Sequence, residues 1–271
     1  MKIDSLPVPL AADTERRFGG LRRLYGDAGY ARVRAARVAV IGLGGVGSWA
    51  AEALARSGVA RLVLVDLDHV AESNINRQVQ ALSSTLGMSK VQALRERVAD
   101  IHPDCEVIGV EEFVSASNWP GLLTVEVDAV IDACDQSSAK ATLAVWSLRS
   151  GVPLVCVGAA GGKRLAQRVD VEDLADTTHD PLLAGLRQRL RKEGVAPRTG
   201  SIGLRCVFAR ESVAAPAAAG HSTGDGSLNC HGYGSSVTVT ATFGMVAAGE
   251  VLALLQAQPG QLGAAGTPAI I

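Results

Sequence analysis

The sequence predicts an α/β protein whose strands form one doubly wound, mostly parallel sheet. Short β-branched runs alternate with alanine- and leucine-rich stretches from residue 37 to residue 157, and such alternation is typical of consecutive βαβ units. A glycine-rich turn separates the first strand from the first helix of this series, and an aspartate follows the second strand. Together these observations favour a Rossmann-like sheet with an N-terminal helical arm and a smaller C-terminal α+β extension.

The first βαβ unit carries the clearest pattern. Residues 13–35 precede it and form an amphipathic, arginine-rich arm. The runs 37–41 (RVAVI) and 61–65 (RLVLV) predict two buried strands, and residues 48–57 between them predict a helix that ends at Gly58. Because the crossover between parallel strands is right-handed, these two strands are expected to be neighbours.

The alternation continues to residue 162 and weakens beyond it. Helical spacing predicts helices over 89–101, 140–149 and 180–192. Further strands are predicted over 106–110, 128–132, 152–157, 167–171 and 204–208, and a glycine-rich loop over 214–236. The pattern divides the chain into an arm (1–35), a Rossmann-like domain (36–162), a C-terminal extension (163–258) and a tail (259–271).

Composition narrows the class of protein. Apolar residues make up 48% of the chain and charged residues 20%, as in a folded globular protein. The net charge of −1 gives no overall attraction to nucleic acid or to an anionic membrane. The five cysteines form no C-x-x-C pair, and no apolar secretory segment opens the chain, so we expect no zinc ribbon and a cytoplasmic location.

One apolar segment, residues 237–257, is long enough to cross a bilayer. Glu250 lies inside it, however, and a charge at membrane depth is costly. We therefore expect a strand end followed by a buried helix, and no membrane insertion.

The glycine turn predicts a nucleotide site. Gly42, Gly44 and Gly47 fit the pattern G-x-G-x-x-G, with Gly45 as a further glycine, directly between a strand and a helix. Glycines let the backbone approach a phosphate, and the free N–H groups at the start of the helix attract its charge. Asp66 follows 19 residues after Gly47, where a carboxylate that binds ribose is expected.

Residues further along favour ATP over a dinucleotide. Arg77 and Lys90 supply two cations suited to a triphosphate, and Asp132 and Asp135 follow a strand end, where carboxylates can hold Mg²⁺. An NAD-dependent dehydrogenase, the alternative reading of the glycine turn, needs no such clamp. The nucleotide contacts expected from these residues are Gly42, Gly44, Gly45, Gly47, Asp66, Arg77, Lys90 and Asp132.

The ordered motifs G-x-G-G-x-G-S, D-x-D, S-N-x-N-R-Q, G-x-x-K and D-A-x-D resemble those of the ThiF/MoeB/HesA family, the bacterial relatives of ubiquitin-activating enzymes. The resemblance implies a homodimer that adenylates a carboxylate with ATP. It assigns catalysis to Arg77, Lys90 and Asp135, with Asp135 as the magnesium ligand. It also adds Asp68, Asn74 and Gln78 to the expected nucleotide contacts. It also implies that an arm arginine, here Arg17 or Arg23, reaches the ATP of the partner subunit.

Further motifs, including R-F-G-G, R-L-Y-G, D-P-L and V-T-A-T-F-G, resemble a subgroup of that family that acts on tRNA. For this subgroup the resemblance implies cyclisation of the carboxylate of a threonylcarbamoyl-modified adenosine to a hydantoin, with release of AMP and pyrophosphate. It also implies a cysteine desulfurase as a sulfur-transfer partner. A cyclisation supplies its own nucleophile, so neither a catalytic cysteine nor zinc is required.

Besides the dehydrogenase, two other functions remain open. One is adenylation of the Gly-Gly end of a sulfur-carrier protein, and the other is a nucleotide sensor without catalysis. The role of one basic run is open as well: it is either a solvated helix face or the surface that binds tRNA, and it comprises Arg187, Arg189, Arg191 and Lys192. Cys134, Cys156 and Cys230 are expected to be structural rather than nucleophilic.

Overall fold

The computed structural model describes residues 12–214 and 233–256. Its strands are β1 (Arg37–Ile41), β2 (Arg61–Val65), β3 (Glu106–Val110), β4 (Ala129–Asp132), β5 (Leu154–Val157), β6 (Val169–Asp173) and β7 (Arg205–Ala209). They form one sheet in the order β3-β2-β1-β4-β5-β7-β6, and every neighbouring pair is parallel except β6 with β7. The predicted doubly wound, mostly parallel sheet is confirmed.

Helices cover both faces of this sheet. They are α1 (Thr14–Ala35), α2 (Gly47–Arg56), α3 (Lys90–Ile101), α4 (Ser137–Ser150), α5 (Pro181–Lys192) and α6 (Val237–Gln256). Successive residues of a strand point to opposite faces. Val38 and Val40 of β1 therefore pack with α1, α2, α3 and α6, while Ala39 and Ile41 pack with α4 and α5.

The arm forms helix α1, as predicted, and packs on the face of the sheet that α2 and α6 also cover. The Asp13 carboxylate accepts the N–H of Arg16, which caps the first turn. Gly26 has a φ of 68° and interrupts the helix with a kink. Phe18, Tyr30 and Val33 are buried, so one face of the arm belongs to the core.

Predicted boundaries differ from the observed ones by a few residues, as expected where helices begin and strands end. Helix α4 begins at Ser137, three residues before the predicted start at Lys140. This difference matters because it moves Lys140 from the helix end into the second turn, where it points into the protein. Strands β5 and β6 each begin two residues later than predicted, at Leu154 and Val169.

The C-terminal part joins the same sheet. Strand β7 pairs parallel with β5, and β6 closes that edge by pairing antiparallel with β7. The proposed division at residue 162 therefore separates two segments that share one sheet. The tail 259–271, most of the loop 214–236, and Cys230 lie outside the described residues.

The expected strand end near Val237 is wrong, because helix α6 already begins there. The β-branched residues Thr238, Thr240 and Thr242 favour a strand locally, but packing against the rest of the protein outweighs that preference. Within the described ranges, α6 is the one helix long and apolar enough to cross a membrane. Its residues Val239 and Phe243 are fully buried against the sheet, as the predicted core helix requires.

Helix α6 packs closely on α2, the helix that follows the glycine turn. A Cβ at Gly244 would collide with the carbonyl oxygen of Val46 and would lie 2.9 Å from the amide nitrogen of Ala50. A Cβ at Gly45 would lie 3.2 Å from Thr240 Cβ. The C-terminal helix thus supports the turn from behind, and glycine at position 244 is required for the contact.

Gly244→Ala is expected to destabilise the fold by about 2 kcal/mol, since the added methyl must displace backbone of α2. Gly249→Ala is the matched control, because Gly249 is exposed on the same helix and a Cβ there would have nothing within 4 Å. Alanine at position 249 is expected to stabilise the helix by up to about 1 kcal/mol. Urea unfolding of both variants measures the difference, and equal stabilities would contradict the packing argument.

Candidate functional site

A cleft of about 470 Å³ opens at the carboxyl ends of the parallel strands. It lies beside β1, where the strand order reverses between β2 on one side and β4 on the other. Ligands of open α/β sheets bind at such reversal points. The described residues that line the cleft include Gly42, Gly44, Gly45, Asp66, Asp68, Asn74, Arg77, Gln78, Lys90 and Asp135. The structure therefore brings most of the predicted site residues together.

The glycine turn has the backbone geometry that its residues predict. Gly42 has a φ of 85°, and a Cβ there would lie 2.9 Å from the carbonyl oxygen of Ala133. A Cβ at Gly47 would collide with the carbonyl group of Gly42. A Cβ at Gly44, in contrast, would meet no atom within 4 Å, so this part of the turn faces open space in the cleft. Two glycines thus fold the turn, and the third leaves room for a ligand.

The Asp66 carboxylate ties the glycine turn to the end of β2. Its Oδ2 accepts the N–H of Leu43 at 2.6 Å, and its Oδ1 accepts the N–H of Asp68 at 2.8 Å. The side chain is 8% exposed. Burial raises the pKa of Asp66, although the Lys90 ammonium and the two N–H groups act in the opposite direction.

Lys90 begins helix α3 and points back toward β2. Its Nζ lies 2.7 Å from Asp68 Oδ2 and 3.8 Å from Asp66 Oδ1. Ser89 caps the helix by accepting the N–H of Gln92, so the position of Lys90 is fixed by the backbone. The ammonium lies beside the carboxylates at the wall of the cleft, where the phosphates of a nucleotide would bring further negative charge.

Arg77 is held in place by a tight turn. Its Nη1 donates to the Ser73 carbonyl oxygen at 2.7 Å and to Asn76 Oδ1 at 2.9 Å. Its carbonyl oxygen accepts the indole N–H of Trp49, on α2, at 2.9 Å. Its Nε is buried and has no hydrogen-bond partner among the described residues. Arg77 also lines the cleft, and its guanidinium charge fits an anionic ligand there.

Asn74 and Gln78 line the cleft but also have structural contacts. Asn74 Oδ1 accepts the N–H of Ala71, which closes the same turn. The Gln78 Oε1 accepts from the side-chain amide of Gln80, which also donates to the Leu43 carbonyl oxygen at 2.9 Å. Gln80 was not predicted as a site residue. Gln80 binds the carbonyl group of Leu43, and Asp66 binds the N–H group of the same residue.

Asp135 and Asp132 differ, and the expected nucleotide contact of Asp132 needs correction. Asp135 is exposed at the mouth of the cleft. Asp132 is fully buried below it, and its Oδ2 lies 2.8 Å from Lys140 Nζ. Because an ion pair inside the fold occupies this carboxylate, Asp132 does not reach the cleft.

Lys140 itself was missed by the sequence analysis. Its side chain is fully buried, and the Asp132 carboxylate raises its pKa although burial acts to lower it. A signal was present, since Lys140 stands between Ala139 and Ala141 in the buried stripe of α4. A lone lysine on an apolar stripe requires a buried partner.

The two arm arginines lie outside the cleft of their own chain. The Arg17 Nη1 donates to the carbonyl oxygens of Asp100 and Ile101, and so caps the end of α3. Arg23 is exposed. Arg17 is exposed as well, and the expected contact of either arginine with a partner subunit stays a prediction.

The basic run on α5 divides into structural and exposed residues. Arg187 Nη1 donates to the carbonyl oxygens of Leu174 and Thr177, both at 3.0 Å. Arg187 therefore has a structural role in the fold, and its expected contact with tRNA stays a prediction. Arg189 pairs with Glu193, and Lys192 is exposed. Arg191 is half-buried and lies 3.5 Å from the carbonyl oxygen of Gly200.

Comparison with known proteins gives consistent matches over nearly the whole chain. The ThiF family model matches residues 18–268. A tRNA threonylcarbamoyladenosine dehydratase of Escherichia coli is 40% identical over 258 residues, which cover 92% of this chain and 96% of the relative. The enzyme of that name from Haemophilus influenzae is 39% identical, with 88% of this chain and 92% of the relative covered.

A solved structure matches the fold as well. The structure of E. coli tRNA N6-threonylcarbamoyladenosine dehydratase in complex with ATP has a TM-score of 0.81 and 39% identity to this chain. The match covers 91% of this chain and 97% of that chain. The similarity therefore extends beyond the Rossmann-like domain to the C-terminal strands and to α6.

The environment of Asp66 predicts how nucleotide affinity depends on pH. Its raised pKa means that its carboxyl binds a proton at a higher pH than the ordinary value of 3.8. A protonated carboxyl accepts ribose hydroxyls poorly, so affinity is expected to be full above the raised pKa and to fall as pH drops through it. Calorimetric titration with ATP from about pH 7.5 to about pH 4.5 measures this fall.

Asp66→Asn is the matched variant for that titration. The single amide oxygen can still accept the Leu43 N–H, but the NH2 group cannot accept the Asp68 N–H, and the side chain carries no charge. Affinity for ATP is expected to drop about tenfold and to lose the acidic fall, since hydrogen bonds to charged groups contribute about 1.5–3 kcal/mol. A variant that keeps the wild-type pH profile would exclude Asp66 as the titrating group.

Proposed function

The chain belongs to the ThiF family, and on that premise we propose that it adenylates and cyclises the threonylcarbamoyl carboxylate of a modified adenosine in tRNA. ATP is the activating substrate, and the products are the cyclic hydantoin form of the nucleoside, AMP and pyrophosphate. The observation that carries the proposal is the convergence of Arg77, Lys90 and Asp135 on the open side of the glycine turn. The near-complete coverage of dehydratases from two bacteria supports the choice of tRNA as the substrate.

The first step is attack of the substrate carboxylate on the α-phosphorus of ATP, with pyrophosphate as the leaving group. The glycine turn and the start of α2 receive the phosphates, and Asp66 accepts the ribose hydroxyls. Arg77 and Lys90 stabilise the charge that develops on the phosphate oxygens as the bond to pyrophosphate breaks. Such fixed charges act strongly because the cleft is partly shielded from water.

The second step is closure of the ring. A nitrogen of the threonylcarbamoyl group attacks the activated carbonyl carbon, the bond to AMP breaks, and the nitrogen loses its proton. Because nucleophile and electrophile belong to one substrate, the protein contributes mainly position and orientation. A thiol nucleophile is not needed, and burial raises the pKa of the Cys134 thiol well above its ordinary value. That thiol donates instead to Asp132 Oδ1 at 2.8 Å.

Magnesium fits the same site through Asp135. No group of three metal-ligating side chains occurs in residues 12–214 and 233–256. Mg²⁺ at nucleotide sites usually takes one or two carboxylates and completes its shell with phosphate oxygens and water. One exposed carboxylate at the cleft mouth suits that arrangement, and the metal would neutralise phosphate charge there.

The assembly and setting of the enzyme are part of the proposal. We expect a homodimer, in which an arm arginine completes the partner's site, and a cytoplasmic location, where tRNA is found. A cysteine desulfurase remains the expected sulfur-transfer partner. Adenylation of a sulfur-carrier protein is the alternative that the missing C-x-x-C pairs disfavour.

The central test is conversion of purified tRNA that carries the open threonylcarbamoyl form. Wild-type protein with ATP and Mg²⁺ is expected to yield the cyclic nucleoside, detected by mass spectrometry, with one AMP per ring. Arg77→Ala and Lys90→Ala are expected to lower kcat by about 10²–10³-fold, as for loss of one preorganised donor. Arg149→Ala, at the exposed end of α4, is the control and should leave kcat unchanged.

Two results would contradict the proposal. One is ATP–pyrophosphate exchange that requires a carrier protein with a Gly-Gly end and ignores modified tRNA. The other is binding of NADH without binding of ATP, which would return the chain to the dehydrogenases.

The exposed part of the α5 run supplies a separate prediction about tRNA. Arg189→Ala with Lys192→Ala is expected to weaken tRNA binding and to reduce the dependence of log Kd on log salt, since fewer phosphates are neutralised. ATP affinity should persist. Filter binding over a salt series measures both effects, and an unchanged salt slope would remove α5 from the tRNA surface. Arg187 is left intact because its hydrogen bonds hold the loop before α5.

A further inference from the structure

We propose that the buried pair Lys140–Asp132 positions two loops of the cleft relative to each other and thereby aligns the reacting groups. The first is the 133–136 loop, which carries Asp135, and the second is the 158–161 loop, which lines the same cleft. The inference rests on the proposed function, because alignment matters only if a second substrate binds against these loops. Lys140 is a positioning residue, since its side chain does not reach the cleft.

Lys140 binds the ends of two adjacent strands. Its Nζ donates to Asp132 Oδ2 at 2.8 Å, on β4, and to the carbonyl oxygen of Val157 at 2.9 Å, on β5. It also lies 3.7 Å from Cys156 Sγ. Asp132 and Val157 are the last residues of their strands, and the two loops leave the sheet directly after them. One ammonium group thus joins the bases of both loops.

Asp132 is also hydrogen-bonded to the first loop, residues 133–136. Its Oδ1 accepts the backbone N–H of Cys134 at 3.2 Å and the Cys134 thiol at 2.8 Å. These bonds fold the chain back immediately before Asp135. The carboxylate therefore orients the loop with one oxygen while its other oxygen is held by Lys140.

The second loop is anchored independently of Lys140. The N–H of Gly158 donates to the Val207 carbonyl oxygen at 2.8 Å, and that of Ala159 donates to Asp180 Oδ2 at 2.9 Å. Asp180 also caps α5 by accepting the N–H of Leu183. Because β7 and α5 hold the 158–161 loop, the contacts of Lys140 fix the position of the 133–136 loop relative to it.

The physical cost of this pair indicates that it does more than stabilise. Both side chains are fully buried, and an apolar pair of similar volume often gives equal or greater stability than a buried ion pair. A satisfied polar network, in contrast, defines one geometry. A displacement of reacting groups by about 1 Å can lower the rate about 100-fold, so a geometry fixed here has a direct catalytic consequence.

Three variants separate positioning from stability. Lys140→Met leaves the Asp132 carboxylate buried without a cationic partner and is expected to lower the unfolding temperature strongly. The double variant Lys140→Met with Asp132→Asn removes both charges and is expected to regain most of that loss. The matched control is Arg205→Met with Glu250→Gln, which neutralises another largely buried pair, on β7 and α6.

Conversion of modified tRNA by the double variant gives the deciding measurement. Its kcat is expected to fall about tenfold or more, while its KM for ATP stays near the wild-type value. The glycine turn, Asp66 and Arg77 are held by other contacts, so nucleotide binding should persist. The control pair should change neither constant.

The possible results distinguish failure of this inference from failure of the proposed function. A double variant with wild-type kcat would overturn the inference, as would a loss of kcat matched by an equal loss in the control. A KM for ATP that rises in step with the fall in kcat would also overturn it, because the pair would then support the nucleotide site in general. Wild-type protein that converts no modified tRNA would refute the proposed function instead.

Discussion

The hydrogen bond between Asp66 and the Leu43 amide is the contact on which the cleft depends. It joins the turn that follows β1 to the residue that follows β2, so the two strands determine where a phosphate and a ribose can lie. Parallel register makes this possible, because Ile41 and Val65 are paired at the ends of these strands. The side-chain amide of Gln80 donates to the carbonyl oxygen of the same residue, Leu43. The turn is thereby fixed from both directions while its Gly44 side remains open.

The charged side chains around the turn differ in their exposure to solvent. Lys90 lies against Asp66 and Asp68, and Arg77 lines the same cleft. Asp135 stands apart at the mouth, where solvent screens it until a ligand enters. The site therefore holds cations close to the expected phosphates and leaves one carboxylate exposed at the edge. This separation suits a reaction in which negative charge increases on phosphate.

Local patterns were sufficient for the sheet, the helices and the glycine turn, because strand runs, helical stripes and positive-φ glycines express short-range chemistry. They were insufficient where a side chain finds a distant partner. Asp132 follows a strand end, where a metal ligand is expected, but its carboxylate forms an ion pair with Lys140. Arg187 belongs to a basic run, but its guanidinium donates to the carbonyl oxygen of Leu174. The start of α6 was missed for a related reason, since threonines favour a strand unless a core surface selects a helix. Long-range contacts of this kind leave no fixed spacing in a sequence.

The packing of α6 on α2 makes nucleotide binding inseparable from the C-terminal segment. Gly244 brings the last described helix against the first turn of α2, although some 200 positions separate them along the chain. A shortened protein that ended after the Rossmann-like region would retain every residue expected to contact ATP and would still lose the surface on which their scaffold rests. The recognisable motif region is therefore not a portable module. The nucleotide site is complete only when helix α6 has been synthesised and has packed against α2.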